Sequence, residues 1–276
     1  LDGSIAKRAM PRMAKLCTYE LPEDYKEKVH TSMNCESLNE YLGCFDIPIA
    51  LLQTKSTIQV AVKSLIDKLA GQGLIYAEIR FAPMFHTSQD LTMEEVVEAA
   101  ISGLDDRIMP AQLILCCMRG QDETTNKLVI DVAKKYLGKG VCAVDLAGDE
   151  AIFKTDTFKD IFAYAKANNV PFTIHAGEAD DYSSVDKALE FGAQRIGHGM
   201  HAIDNEKTLN YIIEHKIPLE MCPTSNMQTK AISSWDEYPL KKYLEQGVKA
   251  TINTDNITVS NTSLKLEFEL LKNQLH

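Results

Sequence analysis

Seven short apolar runs rich in β-forming residues recur after residue 70: LIYAEIRFAP (74–83), AQLILCCMR (111–119), VCAVDLAG (141–148), PFTIHAGE (171–178), QRIGHG (194–199), PLEMCP (218–223) and VKATINTD (248–255). Most show little alternation between polar and apolar positions. A strand reads this way when both of its faces are covered, as in a parallel sheet packed between layers. Helical patterns separate the runs. In 126–137, Leu128, Val132 and Tyr136 recur every four residues and Gly138 supplies a stop. Phe158, Phe162 and Ala165 repeat that spacing ahead of Asn168 and Asn169. Asp204 is placed to N-cap 205–216, whose Leu209, Ile212 and Ile213 share one face. Pro239 suits the first turn of a helix that ends at Gly247.

Strands alternating with helices predict an α/β fold of βα units around a parallel sheet. Seven strands leave two architectures open: a closed eight-stranded barrel, which needs one more, and an open doubly wound sheet, which does not. Residues 4–70 read mostly as helix and loop, a helical cap over one end. At 276 residues the chain has the length of one such domain, 1–276.

Composition narrows the function. A formal net charge of −10 argues against a nucleic-acid polymer as partner, because phosphate backbones are held by concentrated Lys and Arg. No run approaches the roughly 18 apolar residues that cross a bilayer. The seven cysteines form no C-x-x-C pair, and Cys116 and Cys117 would point to opposite faces of a strand. Reduced, mostly buried thiols of a cytoplasmic protein are expected.

Polar residues capable of chemistry gather at the C-terminal ends of the predicted strands: Arg80, Arg119, the GDE of 148–150, His175 and Glu178, His198, and Asp255 with Asn256. Singly, each has a structural explanation, such as a satisfied histidine or a turn-capping aspartate. Together they fall on the one face of a parallel barrel where catalytic groups converge. His175 and Asp255 suit a divalent ion such as zinc, which accepts imidazole and carboxylate. Glu178 lies near enough to serve as acid or base, and His198 adds a second imidazole. A metal lowers the pKa of bound water, and these groups can move its protons, so metal-assisted hydrolysis is the expected chemistry. A serine hydrolase elbow, G-x-S-x-G, is absent, and GHGMHA (197–202) lacks the third glycine of a dinucleotide fingerprint.

LDGS (1–4), VDLAGDE (144–150), HAGE (175–178), RIGHG (195–199), CPTSN (222–226) and NTDN (253–256) occur in the order found in adenosine deaminases, within the amidohydrolase superfamily. The chain resembles that family from Leu1 to about Leu264. The resemblance implies a (β/α)8 barrel with a helical insertion after the first strand and one catalytic zinc. It implies His175 and Asp255 as zinc ligands, and Glu178 as the acid that protonates purine N1. His198 would orient and deprotonate the zinc-bound water, which Asp255 also contacts. The Gly148 backbone N–H would meet purine N3, and Asp2 would hold a ribose hydroxyl. Asn256 stands where many members carry an aspartate facing N7; an amide donates there without first acquiring a proton. The implied reaction is hydrolytic deamination of adenosine and 2′-deoxyadenosine to inosine and ammonia, a step of purine salvage on a small-molecule nucleoside. Zinc deaminases of the cytidine type share this chemistry but carry H-x-E and P-C-x-x-C motifs, which this chain lacks.

Adenine and AMP deaminases of the same superfamily are the near alternatives. Asp2 favours the nucleoside, since free-base members tend to carry glutamate there, and no evident Arg cluster awaits a phosphate. A metal-free, noncatalytic purine-binding protein is the alternative from another class. The family's His-x-His zinc pair lies on the strand before LDG. The expectation is therefore that the natural protein extends at both ends, with that first strand before Leu1 and further helix after His276.

Overall fold

A computed structural model describes residues 1–33, 35 and 38–275, with backbone alone for 38–40. Each of the seven apolar runs forms a strand: β1 (Ala77–Phe81), β2 (Ala111–Met118), β3 (Val141–Ala147), β4 (Thr173–Ala176), β5 (Arg195–His198), β6 (Leu219–Met221) and β7 (Ala250–Ile252). All neighbours pair in parallel, in sequence order. The β1–β3 and β4–β7 groups meet through a parallel bridge from Val144 to Phe172. Among the described residues β1 and β7 are the outer strands of this arc. The LDGS turn spans them at their C-terminal ends: the Leu1 backbone N–H donates to the Arg80 carbonyl, and the Gly3 carbonyl accepts from the N–H groups of Thr258 and Val259.

Helices cover the outer face. Lys55–Gly71 buries Ile58, Ala61, Val62, Leu65, Ile66 and Leu69 on one stripe and is capped by Thr54. Glu123–Tyr136 begins on an Asp122 cap, but its buried stripe is Val129, Ile130, Val132 and Ala133. Leu128, expected in that stripe, is 46% exposed. Val132 is buried as expected and Tyr136 packs against the core, so the stripe keeps those two and takes Val129 in place of Leu128. Asp204 is not the expected N-cap of Glu206–His215 either. Asn205 takes that place, its Oδ1 accepting from the N–H groups of Lys207 and Thr208, while Asp204 closes a preceding 3-10 turn and contacts His201. Pro239 precedes the first helical residue of Leu240–Glu245, and Gly247 follows in a left-handed conformation as expected. Residues 4–70 are helix and connecting loop, with no strand among those described.

The outward strand faces and the inner faces of the helices share one apolar cluster, in which Leu113, Leu115, Val144, Ile174 and Ile196 have no exposed surface. The inward faces differ. Glu78 and Arg80, two apart on β1, point to the same side. Arg80 donates to Asp145 of β3 and Glu220 of β6, at 3.1 and 2.7 Å. Arg195 of β5 reaches Glu220 and Glu78, at 2.7 and 2.6 Å. The interior therefore carries an ionic lattice. Asp145 and Glu220 are buried, and buried charges are tolerated only when well paired; Glu220 is met by both arginines, whose side chains stay 28% and 31% exposed.

Candidate active site

His175 is the next-to-last residue of β4 and packs against a carboxylate. Its Nδ1 lies 2.8 Å from Asp145 Oδ2, and Asp145 is fully buried. Burial alone would raise the Asp145 pKa, but His175 and Arg80 hold it well below the ordinary carboxylate range. Burial opposes charge on His175 too, and here Asp145 outweighs it, raising the imidazole pKa. The pairing consumes Nδ1 and leaves Nε2 for another ligand. Arg119 donates to the His175 carbonyl at 2.7 Å, so it clamps the strand end and does not face the cavity with a free charge.

The turn after His175 is held from below. The buried Glu150 carboxylate accepts from the backbone N–H groups of Gly177, Glu178 and Ala179, at 2.7 to 3.0 Å, and from the Ser184 hydroxyl. These bonds fix where the Glu178 side chain begins. Glu178 Oε1 accepts from Asn226 Nδ2 at 3.2 Å and Thr229 Oγ1 at 3.0 Å. Its Oε2 lies 3.4 Å from His198 Nε2.

The state of His198 follows from Asn226. The backbone N–H of Cys222 points at Asn226 Oδ1, 3.3 Å away, so the amide nitrogen faces His198 Nδ1 at 2.9 Å and Glu178. Turning the amide over would set donor against donor at Cys222 and oxygen against oxygen at Glu178. Nδ1 of a neutral His198 therefore accepts, and Nε2 bears the hydrogen. His198 itself is in the left-handed region, φ 61°, as is Asp255, φ 49°. Non-glycine residues held there concentrate at functional sites. The two imidazoles lie 5.0 Å apart between ring centres.

Asp255 follows β7, and its Oδ2 accepts from Ser225 Oγ at 2.8 Å. Asn256 donates to the Tyr41 hydroxyl at 3.0 Å. Asp2 lies 2.9 Å from Nε2 of His86, which is fully buried. Burial would raise the Asp2 pKa; His86 brings it below its ordinary value. Gly148 adopts φ +105°, a conformation that side chains rarely take, directly over Arg119. One cavity of about 670 Å³ is lined by the seven residues for which the resemblance implies a site role, Asp2, Gly148, His175, Glu178, His198, Asp255 and Asn256, and by Arg80, Asp149 and Glu150, but not by Arg119. Cys116 also lines it, while Cys117 faces the helix behind β2 and contacts the Asn126 carbonyl.

The residues that sequence reasoning missed act mainly by orientation: Asp145, Asn226, Ser225, Thr229, Tyr41 and His86. Asp145 carried the same signal as His175, a charge-bearing side chain inside an apolar strand run.

A family model described as adenosine deaminase matches residues 1–276. The chain belongs to the adenosine deaminase family. It is 47% identical to the adenosine deaminase of Haemophilus ducreyi, over 99% of this chain and 83% of that protein. The solved adenine deaminase of Arthrobacter aurescens superposes with a TM-score of 0.87 at 23% identity, over 99% of this chain and 85% of the other. The Arabidopsis N6-mAMP deaminase gives 0.86 at 25% identity, over 99% and 85%. The fold is accordingly the TIM-type barrel of that superfamily.

The metal expected for this family is tested by the donor chemistry. His175 offers Nε2 while its Nδ1 is engaged by a carboxylate, the arrangement typical of a histidine ligand. Asp255 offers a carboxylate braced by one hydroxyl. Both fit zinc. They make two donors, and no group of three or more is assembled among the described residues.

Proposed function

We propose that this protein hydrolyses adenosine and 2′-deoxyadenosine at C6, giving inosine and ammonia. The observation that carries this reading is the convergence of Glu178, His198, Asp255 and Asp2 on one cavity, in a chain of the adenosine deaminase family. His175 and Asp255 would hold one zinc ion, which supplies a Lewis acid that makes water nucleophilic near neutral pH.

The chain's own residues do the rest. Glu178 delivers a proton to purine N1, which lets the ring accept electrons as C6 becomes tetrahedral. Two donors occupy Oε1, so Oε2, approached only by the more distant His198 Nε2 at 3.4 Å, is the oxygen that carries that proton. The resemblance implies both orientation and proton removal for His198. With Nδ1 accepting from Asn226, the hydrogen-bond pattern favours orientation: Nε2–H holds the attacking oxygen, and the Asp255 carboxylate takes the first proton. The two protons of the water end on the departing ammonia and, through Glu178, on N1. Gly148 N–H meets N3, and Asn256 Nδ2 meets N7. Asp2, oriented by His86, accepts from a ribose hydroxyl.

Asp2 favours the nucleoside over the free base, and the cavity's Arg80 is already paired with Asp145 and Glu220. Turnover of adenosine, adenine and AMP compared on the metal-loaded protein tests this. Adenosine should be the preferred substrate; preference for adenine or AMP would overturn the assignment of Asp2. The five buried cysteines, none in a disulfide, agree with a cytoplasmic setting.

A further inference from the structure

Asp255 and Asn256 are neighbours in sequence, and they are also joined the long way round. Ser225 Oγ lies 2.8 Å from Asp255 Oδ2. A carboxylate has no hydrogen to give, so the serine donates. With its one hydrogen committed, Ser225 Oγ can only accept from Tyr41 Oη, 3.4 Å away. Ser260 Oγ, at the same distance, offers the tyrosine a second acceptor. Either choice leaves the phenol oxygen to accept, and Asn256 Nδ2 is there at 3.0 Å. The carboxylate thus fixes the serine hydrogen, and the amide nitrogen facing the phenol makes Tyr41 an acceptor from Asn256. Bonds aligned this way reinforce one another.

Tyr41 belongs to the helical region before β1 and is only 5% exposed. Asn256 is held from the other side as well. A Cβ on Gly3 would fall 2.2 Å from Asn256 Oδ1, so the amide oxygen lies directly against the glycine. The amide is therefore pinned between Gly3 and the Tyr41 hydroxyl. One of its two N–H bonds goes to the tyrosine. The other has no partner among the described residues, and Asn256 lines the cavity.

We propose that Tyr41 is a specificity-determining positioning residue, whose hydroxyl fixes the Asn256 amide so that its second N–H meets the acceptor nitrogen of the purine's five-membered ring. This rests on the deaminase reading given above. Without the hydroxyl, the amide loses the one hydrogen bond that tells its nitrogen from its oxygen, and an oxygen can face the purine acceptor in place of the donor.

The test replaces the hydroxyl alone, Tyr41→Phe, in the metal-loaded enzyme. The values of kcat/KM for adenosine and 7-deazaadenosine are compared, the latter having a C–H in place of the acceptor. Binding of inosine and 7-deazainosine by calorimetry gives a readout that needs no turnover. Loss of one oriented hydrogen bond should lower kcat/KM for adenosine by about 5- to 30-fold, mainly through KM, and weaken inosine to a similar degree. The two deaza compounds should change less than about twofold. In an Asn256→Ala background the same tyrosine substitution should leave the preference for the natural compounds unchanged. Equal losses for natural and deaza compounds, or an unchanged preference in Tyr41→Phe, would overturn the proposal. So would a further loss of preference in the Asn256→Ala background. A parent enzyme that deaminates no adenosine would instead overturn the functional reading, and this inference with it.

Discussion

The Asp145 carboxylate and the His175 imidazole meet at 2.8 Å across adjacent strands, and Arg80 approaches the same carboxylate from a third strand. The contact decides which histidine nitrogen is free. Nδ1–H donates to Asp145, so the lone pair is on Nε2. Asp145→Asn keeps an acceptor but removes the charge that holds both His175 and Arg80. Zinc affinity, measured by competition with a chromophoric chelator, should fall about 10- to 100-fold while the protein stays folded. Unchanged affinity would mean that Asp145 serves the ionic lattice alone.

Glu178→Gln preserves size and keeps an oxygen for Asn226 and Thr229, but it cannot deliver a proton. Turnover of adenosine should drop about 10²- to 10⁴-fold with bound zinc near the parent level. Activity within a few-fold of the parent would remove Glu178 from the proton path.

Gly3→Ala tests the close approach of the LDGS turn to Asn256. The added Cβ would lie 2.2 Å from Asn256 Oδ1 and 2.6 Å from its Cβ. Overpacking of this kind costs about 1–3 kcal/mol. The thermal midpoint should fall by a few degrees and KM for adenosine should rise, because Asn256 must move. A variant with parental stability and KM would show that the turn yields freely.

The strands were legible because each is a short apolar run, buried along most of its length in β2 and β3, and the site was legible because polar side chains interrupt such runs at their ends. His175, His198 and Asp255 were found this way and line one cavity. Glu150 and Arg119 carried the same signal, yet one holds three backbone N–H groups and the other clamps a carbonyl. Position at a strand end does not reveal where a side chain turns. Tyr41 and Asn226 were missed for a related reason, because their partners lie far away in sequence. On the 123–136 helix Val132 and Tyr136 meet the core as expected and Leu128 alone does not, since a four-residue spacing drifts off a 3.6-residue stripe.

Glu267, fully buried, links the helix Leu264–Leu275 to the CPTSN turn: it accepts from the Thr224 N–H at 3.0 Å and the Thr262 hydroxyl at 2.6 Å. Burial raises its pKa above the ordinary value of 4.5. A carboxyl raised in the folded state adds stability below the unfolded value, and that stability is lost as pH rises through the folded value. Glu267→Gln can serve both partners, accepting from Thr224 and donating to Thr262, without ionising. Denaturant midpoints from about pH 4 to 8 should therefore decline less steeply in the variant than in the parent. Parallel profiles would mean that Glu267 does not titrate in this range.

Addition of water to C6 of adenosine, in the cavity shared by Glu178, His198 and Asp255, would leave an isotopic mark on the product. The most direct measurement is mass spectrometry of the purine product formed by the zinc-loaded protein in ¹⁸O-water, with ammonia assayed in parallel. Inosine should carry one ¹⁸O, with one ammonia released per inosine, and removing the metal with a chelator should stop the reaction until zinc is restored. Adenosine that binds but is recovered unchanged, or a product without label, would show that water does not add to C6 in this cavity.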